Sequence, residues 1–193
     1  MGNIVLSSCG IRNEDFKKRF YAIIPESEIG NKKLLYITTA IDGEAGDDFS
    51  WVDEEYQTIL GLGFVEENIT EYKIGETLPD VDTYDAIYMM GGNTIYLLDM
   101  VRKYNFGQFI KDFIRRGKVY IGSSAGSQIV GSTIELCSVY EDNNVGMTDF
   151  TALGLVDGEI VPHANKKEQL LNSLSEEEKN KKILLYDGDG VVI

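Results

Sequence analysis

Short apolar runs alternate along the chain with longer segments in which apolar residues return every three or four positions. Asn3–Ser7, Leu34–Thr39, Asp85–Met90 and Lys118–Gly122 are apolar in continuous runs rather than at every second position. That is the pattern of strands covered on both faces. Helical stretches lie among them at about Asn13–Ile24, Asp48–Leu62, Thr94–Tyr104 and Asn105–Arg116. Asn68–Ile74 reads as one more strand. Such alternation predicts an α/β fold, a mostly parallel sheet between two layers of helices. The last third differs. Ile134–Val139, Glu159–Val161, Ile183–Tyr186 and Val191–Ile193 are short, β-like and separated by polar turns. No repeat, linker or low-complexity stretch intervenes, so residues 1–193 read as a single three-layer domain. The acidic run Ser175–Lys182 reads as a solvated helix end or loop.

Composition narrows the function classes. Of 193 residues, 43% are hydrophobic and 26% charged, as in an ordinary globular chain. With 18 Lys and Arg against 32 Asp and Glu, the formal charge is −14. Nucleic acid and anionic membranes select basic surfaces, so neither is an expected partner. No apolar stretch approaches the ~20 residues of a membrane span, and the start has no basic region of the signal-peptide kind. Cys9 and Cys137 are too few and too far apart for a disulfide framework, which suits a reducing cytoplasm. A single histidine, His163, argues against the common zinc sites, and no metal or cofactor is implied.

Three short segments carry chemistry. Gly122-Ser123-Ser124-Ala125-Gly126 is a G-x-S-x-G pattern between a strand and an apparent helix. A serine on so sharp a turn needs small residues two before and two after it, and Gly122 and Gly126 supply them. The Ser124 hydroxyl would stand at a helix N-terminus, with the Ala125 N–H as one oxyanion donor. Met89–Thr94 runs a strand into Gly91-Gly92, which lets backbone approach a ligand, and Asn93 is placed to cap the next helix. The Gly92 N–H is the candidate for the second oxyanion donor. The third segment, Val161–Asn165, holds His163, the one imidazole available as a general base. A carboxylate should orient its far ring nitrogen, and spacing alone leaves Asp187, Asp189, Glu141 and Asp142 open.

GGNT, GSSAGS and PHAN, in that order and spacing, resemble the peptidase E family, which comprises aspartyl dipeptidases and relatives such as cyanophycinases. The resemblance runs from the NIVLSS strand to the DGDGVVI end. It implies a class I glutamine amidotransferase-like α/β fold and a serine peptidase with a Ser-His-Asp or Ser-His-Glu triad. By motif, the nucleophile falls on Ser124 and the base on His163. The acid falls on Asp187, with a position near Asp142 as the alternative. Gly92 and Ala125 become the oxyanion donors, and Gly91, Asn93 and Ser123 would line the site. The implied substrate is a short peptide. A non-peptidase esterase or amidase using the same triad is the second reading, and a binding module that keeps the elbow as architecture the third. One feature departs from the family. Members specific for N-terminal aspartate have an arginine shortly after the PH motif, whereas this chain has no arginine after Arg116 and carries Lys166-Lys167 there. A lysine lacks the bidentate fork, so only a weak preference for an N-terminal aspartate is expected.

Overall fold

A computed structural model describes residues 3–193. Its main sheet is built from β1 (Asn3–Ser7), β2 (Leu34–Ile37), β3 (Ile69–Tyr72), β4 (Ala86–Met89), β5 (Val119–Ser123) and, near the end of the chain, Gly190–Val192. The spatial order is β3-β2-β4-β5-β1 followed by that late strand. The first five are parallel. The late strand runs antiparallel beside β1, pairing Ser7 with Gly190 and Val5 with Val192.

Successive strand residues feed two separate cores, which explains the continuous apolar runs. Leu6, Leu35, Ile37, Ile87, Met89 and Tyr120 face one side of the sheet. They pack there with α4 (Thr94–Lys103) and α5 (Phe106–Arg115), through residues such as Leu98 and Phe113. Val5, Leu34, Tyr36, Tyr88 and Ile121 face the other side. They meet Phe16 and Phe20 of α1 (Glu14–Tyr21), Ile29 of α2 (Glu26–Ile29) and Ile59 of α3 (Ser50–Gly61). The expected helix over 13–24 therefore stops earlier. It ends at Tyr21, and Pro25 opens the separate turn of α2 because proline suits a helix start and not a helix interior.

The last third departs most from expectation. Ile134–Val139 is not a strand. Glu135–Val139 forms a 3₁₀ turn, and the sole ladder contact nearby is an isolated Thr133–Thr151 bridge. Ile134 donates its N–H to the Phe150 carbonyl beside that bridge, and beyond it the Leu136 N–H is taken by the buried Glu159 carboxylate at 2.6 Å, a side chain standing where a strand ladder would. The helix after the elbow, α6, is only Ala125–Gln128. Next come β6 (Glu159–Val161), α7 (Glu168–Ser173), α8 (Glu176–Lys179), β7 (Lys182–Leu184) and β8 (Gly190–Val192). β6 and β7 pair with each other, parallel, as a separate two-stranded ribbon. The acidic run is α8, closed at its start by a Ser175–Glu178 capping box. No helix among the described residues is long and apolar enough to cross a membrane.

Candidate active site

The carboxyl ends of β1, β5 and β6 and the turn between β7 and β8 converge on one cleft of about 1320 Å³. Ser8, Gly91, Gly92, Ser124, His163 and Asp187 all line it. This is the sheet edge where parallel α/β folds place their ligands.

Ser124 stands at the junction of β5 and α6 with φ 45° and ψ −109°, a conformation that L-residues rarely adopt. The neighbouring glycines make it possible. A Cβ on Gly122 would lie 2.7 Å from the Gly126 carbonyl oxygen, and one on Gly126 would overlap the Met89 carbonyl. The turn is held from below by Ser127, whose hydroxyl accepts the Ser7 N–H at 3.1 Å and reaches the Ser7 and Gly122 carbonyls at 2.8 Å. The Ser124 N–H donates to the Ser7 carbonyl. The N–H groups of Ala125 and Gly92 donate to no other group among the described residues. Gly92 has φ 133°, and a Cβ there would lie 2.5 Å from the Ala40 carbonyl, so only glycine fits.

His163 follows β6 with φ 54°. Its Nε2 lies 3.2 Å from Ser124 Oγ, and its Nδ1 lies 2.5 Å from Asp187 Oδ1. Ser8, at the end of β1, ties the pair together. Its hydroxyl donates to Asp187 Oδ1 at 2.8 Å and accepts the His163 backbone N–H at 2.8 Å. Asp187 Oδ2 takes Lys166 Nζ at 2.8 Å, and the Asp187 N–H is held by the Asn165 side chain. With Asp187 accepting on every side, the imidazole proton belongs on Nδ1, and the Nε2 lone pair faces the serine.

The electrostatics follow from these contacts. Burial pushes the His163 imidazole below its ordinary value, with Asp187 opposing it. Burial also penalises the Asp187 carboxylate, but hydrogen bonds from Lys166, Ser8 and His163 outweigh this and hold it far below the usual range. On the opposite wall burial raises the Glu141 carboxyl. Lys167, between the Pro162 carbonyl at 2.9 Å and the face of the Tyr140 ring at 3.8 Å, is pushed down to about 8 by burial.

The acids left open in the sequence now separate. Asp187 meets His163. Glu141 instead accepts the N–H and hydroxyl of Thr94, and Asp142 offers its carbonyl to Asn93. Asp189 pairs with Arg19 at 2.6 Å, away from the ring. Two residues expected to line the site do not reach the cleft. Asn93 is buried and spends its side chain capping α4 at the Tyr96 N–H. Ser123 is wholly buried and accepts the Gly10 N–H. Both support the site from behind, Ser123 as the last residue of β5 and Asn93 as the N-cap of α4. Ser8 was missed by sequence reasoning. Its signal was position alone, a small hydroxyl residue just past the carboxyl end of a buried strand. Among the described residues no group of three His, Cys, Asp or Glu side chains is arranged to hold a metal ion.

The sequence profile of peptidase family S51 matches residues 4–193. An uncharacterized peptidase of Pasteurella multocida is 34% identical over 139 residues, 70% of this chain and 66% of that protein. Peptidase E of Haemophilus influenzae is 31% identical over 72% of this chain and 60% of its own length. The matches thus span about two thirds of these relatives. The crystal structure of a candidate peptidase E of Listeria monocytogenes superposes with a TM-score of 0.78 at 25% identity, covering 100% of this chain and 94% of that one.

Proposed function

The chain belongs to peptidase family S51, and from that premise we propose that it hydrolyses short peptides with Ser124 as nucleophile, His163 as base and Asp187 as orienting acid. The unbroken line from Ser124 Oγ through the His163 ring to Asp187 carries this reading. His163 Nε2 takes the Ser124 proton as Oγ attacks the peptide carbonyl carbon. The oxyanion that forms is received by the N–H groups of Gly92 and Ala125. The imidazolium then gives its proton to the leaving amine, the C–N bond breaks, and an acyl ester remains on Ser124. Water, deprotonated by the same nitrogen, attacks that ester, the bond from the acyl carbon to Ser124 Oγ breaks, Oγ takes back the proton from the imidazolium, and the acid leaves. Asp187 stays ionised and stabilises the imidazolium throughout.

Gly91 would lie against the acyl group, as a cleft-lining residue beside Ser124. The free thiols of Cys9 and Cys137 suit a reducing compartment, and the cytoplasm is the proposed location. The test is labelling by a fluorophosphonate probe alongside hydrolysis of a dipeptide panel with matched esters. Ser124→Ala should abolish labelling and lower turnover by ~10³-fold or more, while Ser123→Ala keeps a labelled serine. Labelling that survives in Ser124→Ala would remove Ser124 from the mechanism. Turnover of esters with no dipeptide cleaved would favour the esterase reading.

A further inference from the structure

One carboxyl group at the cleft has no part in the proposed mechanism. Glu55 lies in the run Asp53-Glu54-Glu55 of α3, yet it is only 4% exposed. Its Oε1 accepts the hydroxyl of Tyr88 at 2.8 Å, from β4. The hydroxyl of Ser123, the residue before the nucleophile, stands against both groups and also receives the Gly10 N–H at 3.1 Å. On its other side Glu55 backs the glycine loop. A Cβ built on Gly91 would lie 3.9 Å from Glu55 Oε2 and 3.1 Å from the Ser124 Cβ. One side chain thus braces both halves of the reacting centre, the strand that ends in Ser124 and the loop that presents the Gly92 N–H.

The surroundings of Glu55 favour the uncharged acid. Facing it are Arg12 and Cys9 from the loop after β1, Tyr36 from β2, Tyr88 from β4 and Ser123 from β5. Arg12 is the one cation in this group. It is anchored to the Cys9 carbonyl at 2.8 Å, and its nearest carboxylate is Glu54 at 3.8 Å. No ion pair reaches Glu55 among the described residues. A buried carboxylate without a counter-ion is costly, and the protonated form avoids that cost. Burial accordingly raises this carboxyl, against smaller opposing pulls from Ser123, Tyr88 and Arg12.

We propose that Glu55 is a positioning residue that works as the neutral carboxylic acid, bracing Ser123 and Gly91, and that a negative charge there shuts the site down by opposing the oxyanion. The proposal rests on the Ser124 chemistry above. It adds a condition on that chemistry: the site needs one carboxylate ionised, Asp187, and a second one not, Glu55. When Glu55 loses its proton to solvent, the negative charge lies beside the place where the oxyanion gathers, in a water-poor setting where the repulsion is strong.

The experiment is the second-order rate of fluorophosphonate labelling from about pH 5 to about pH 9.5, a reaction that needs no titrating substrate amine. Wild type is expected to rise as His163 becomes neutral and to fall roughly tenfold or more at the alkaline end. Glu55→Gln, which keeps the shape of the neutral acid, should label comparably at neutral pH and lose the alkaline fall. Glu55→Leu should label at least ~10-fold more slowly at every pH. Lys167→Met should keep the fall, which separates Glu55 from the lysine that titrates in the same cleft. A flat alkaline limb in wild type, or the same fall in Glu55→Gln, overturns the proposal, and so does wild-type labelling by Glu55→Leu. If Glu55→Leu does not fold, Glu55→Gln decides alone. Persistent labelling of Ser124→Ala would instead overturn the nucleophile assignment.

Discussion

The hydrogen bonds around Asp187 make it more than a spare charge beside His163. Four donors converge on its carboxylate, from Ser8, His163, Lys166 and Asn165, so its proton affinity is low and the Nδ1–H tautomer is enforced. Asp187→Asn offers an amide that can turn its N–H₂ toward the ring, demand the other tautomer and leave the proton on Nε2. A fall in kcat of ~10⁴ is expected, against little change for Asp142→Asn, measured on one dipeptide at saturating concentration. The pH profile has a definite sign. His163 must be neutral to act, and burial lowers its proton affinity, so activity should reach half its plateau below the ordinary histidine value of about 6.5 and hold above it until the alkaline limb. Much of the site was legible at this scale. Gly122 and Gly126 flank Ser124 because the turn admits nothing larger, so the elbow declares itself in five letters. The choice among Asp187, Asp189, Glu141 and Asp142 did not. They fall in two pairs, Glu141-Asp142 after the 3₁₀ turn and Asp187 with Asp189 between β7 and β8, and the closure of β8 against β1 brings one of the four to the ring. Glu55 left no trace, since a glutamate between Glu54 and Tyr56 has the look of a solvated helix face.

Among the elements, the β5–α6 junction is the least forgiving. Its backbone passes so close to β4 that a methyl group on Gly126 meets the Met89 carbonyl. Gly126→Ala should cost about 1–3 kcal/mol and lower Tm by several degrees in a thermal melt, with activity lost as the elbow shifts. Gly61, the last residue of α3, is the control. It has open space around it, and alanine there should leave Tm unchanged or slightly higher. The long helices and buried strands could be read because each presents several turns of periodic pattern. The late elements are three or four residues long, too short for any period to show. Ile134–Val139 looked like a strand because its apolar residues are consecutive, whereas what holds the Leu136 N–H is the Glu159 side chain, 23 positions away.

For the whole molecule, the charge of −14 repels acidic substrates, though salt screens this beyond ~8 Å. An N-terminal aspartate would have to be rewarded locally, and of the cations lining the cleft Arg12 is anchored to the Cys9 carbonyl and Lys166 is paired with Asp187, which leaves Lys167. A single partly buried ammonium facing the Glu141 carboxyl is a weak receptor. The expected preference in kcat/KM for Asp-Leu over Asn-Leu is under ~100-fold, about 2.7 kcal/mol. It should shrink further above pH 8, where Lys167, pushed down to about 8, gives up its charge. A preference of several thousandfold at fixed pH and salt would reveal a carboxylate receptor elsewhere. The distribution of the site over the fold has a temporal side as well. Ser8 and Asp187 touch across 179 residues of chain, and Asp187 is held in place by a strand that must run back along β1. On the ribosome Ser124 emerges well before Asp187, the carboxylate proposed to arm it. On the proposed mechanism the elbow presents an ordinary alcohol until β8 has docked, so the chemistry waits on the closing of the sheet.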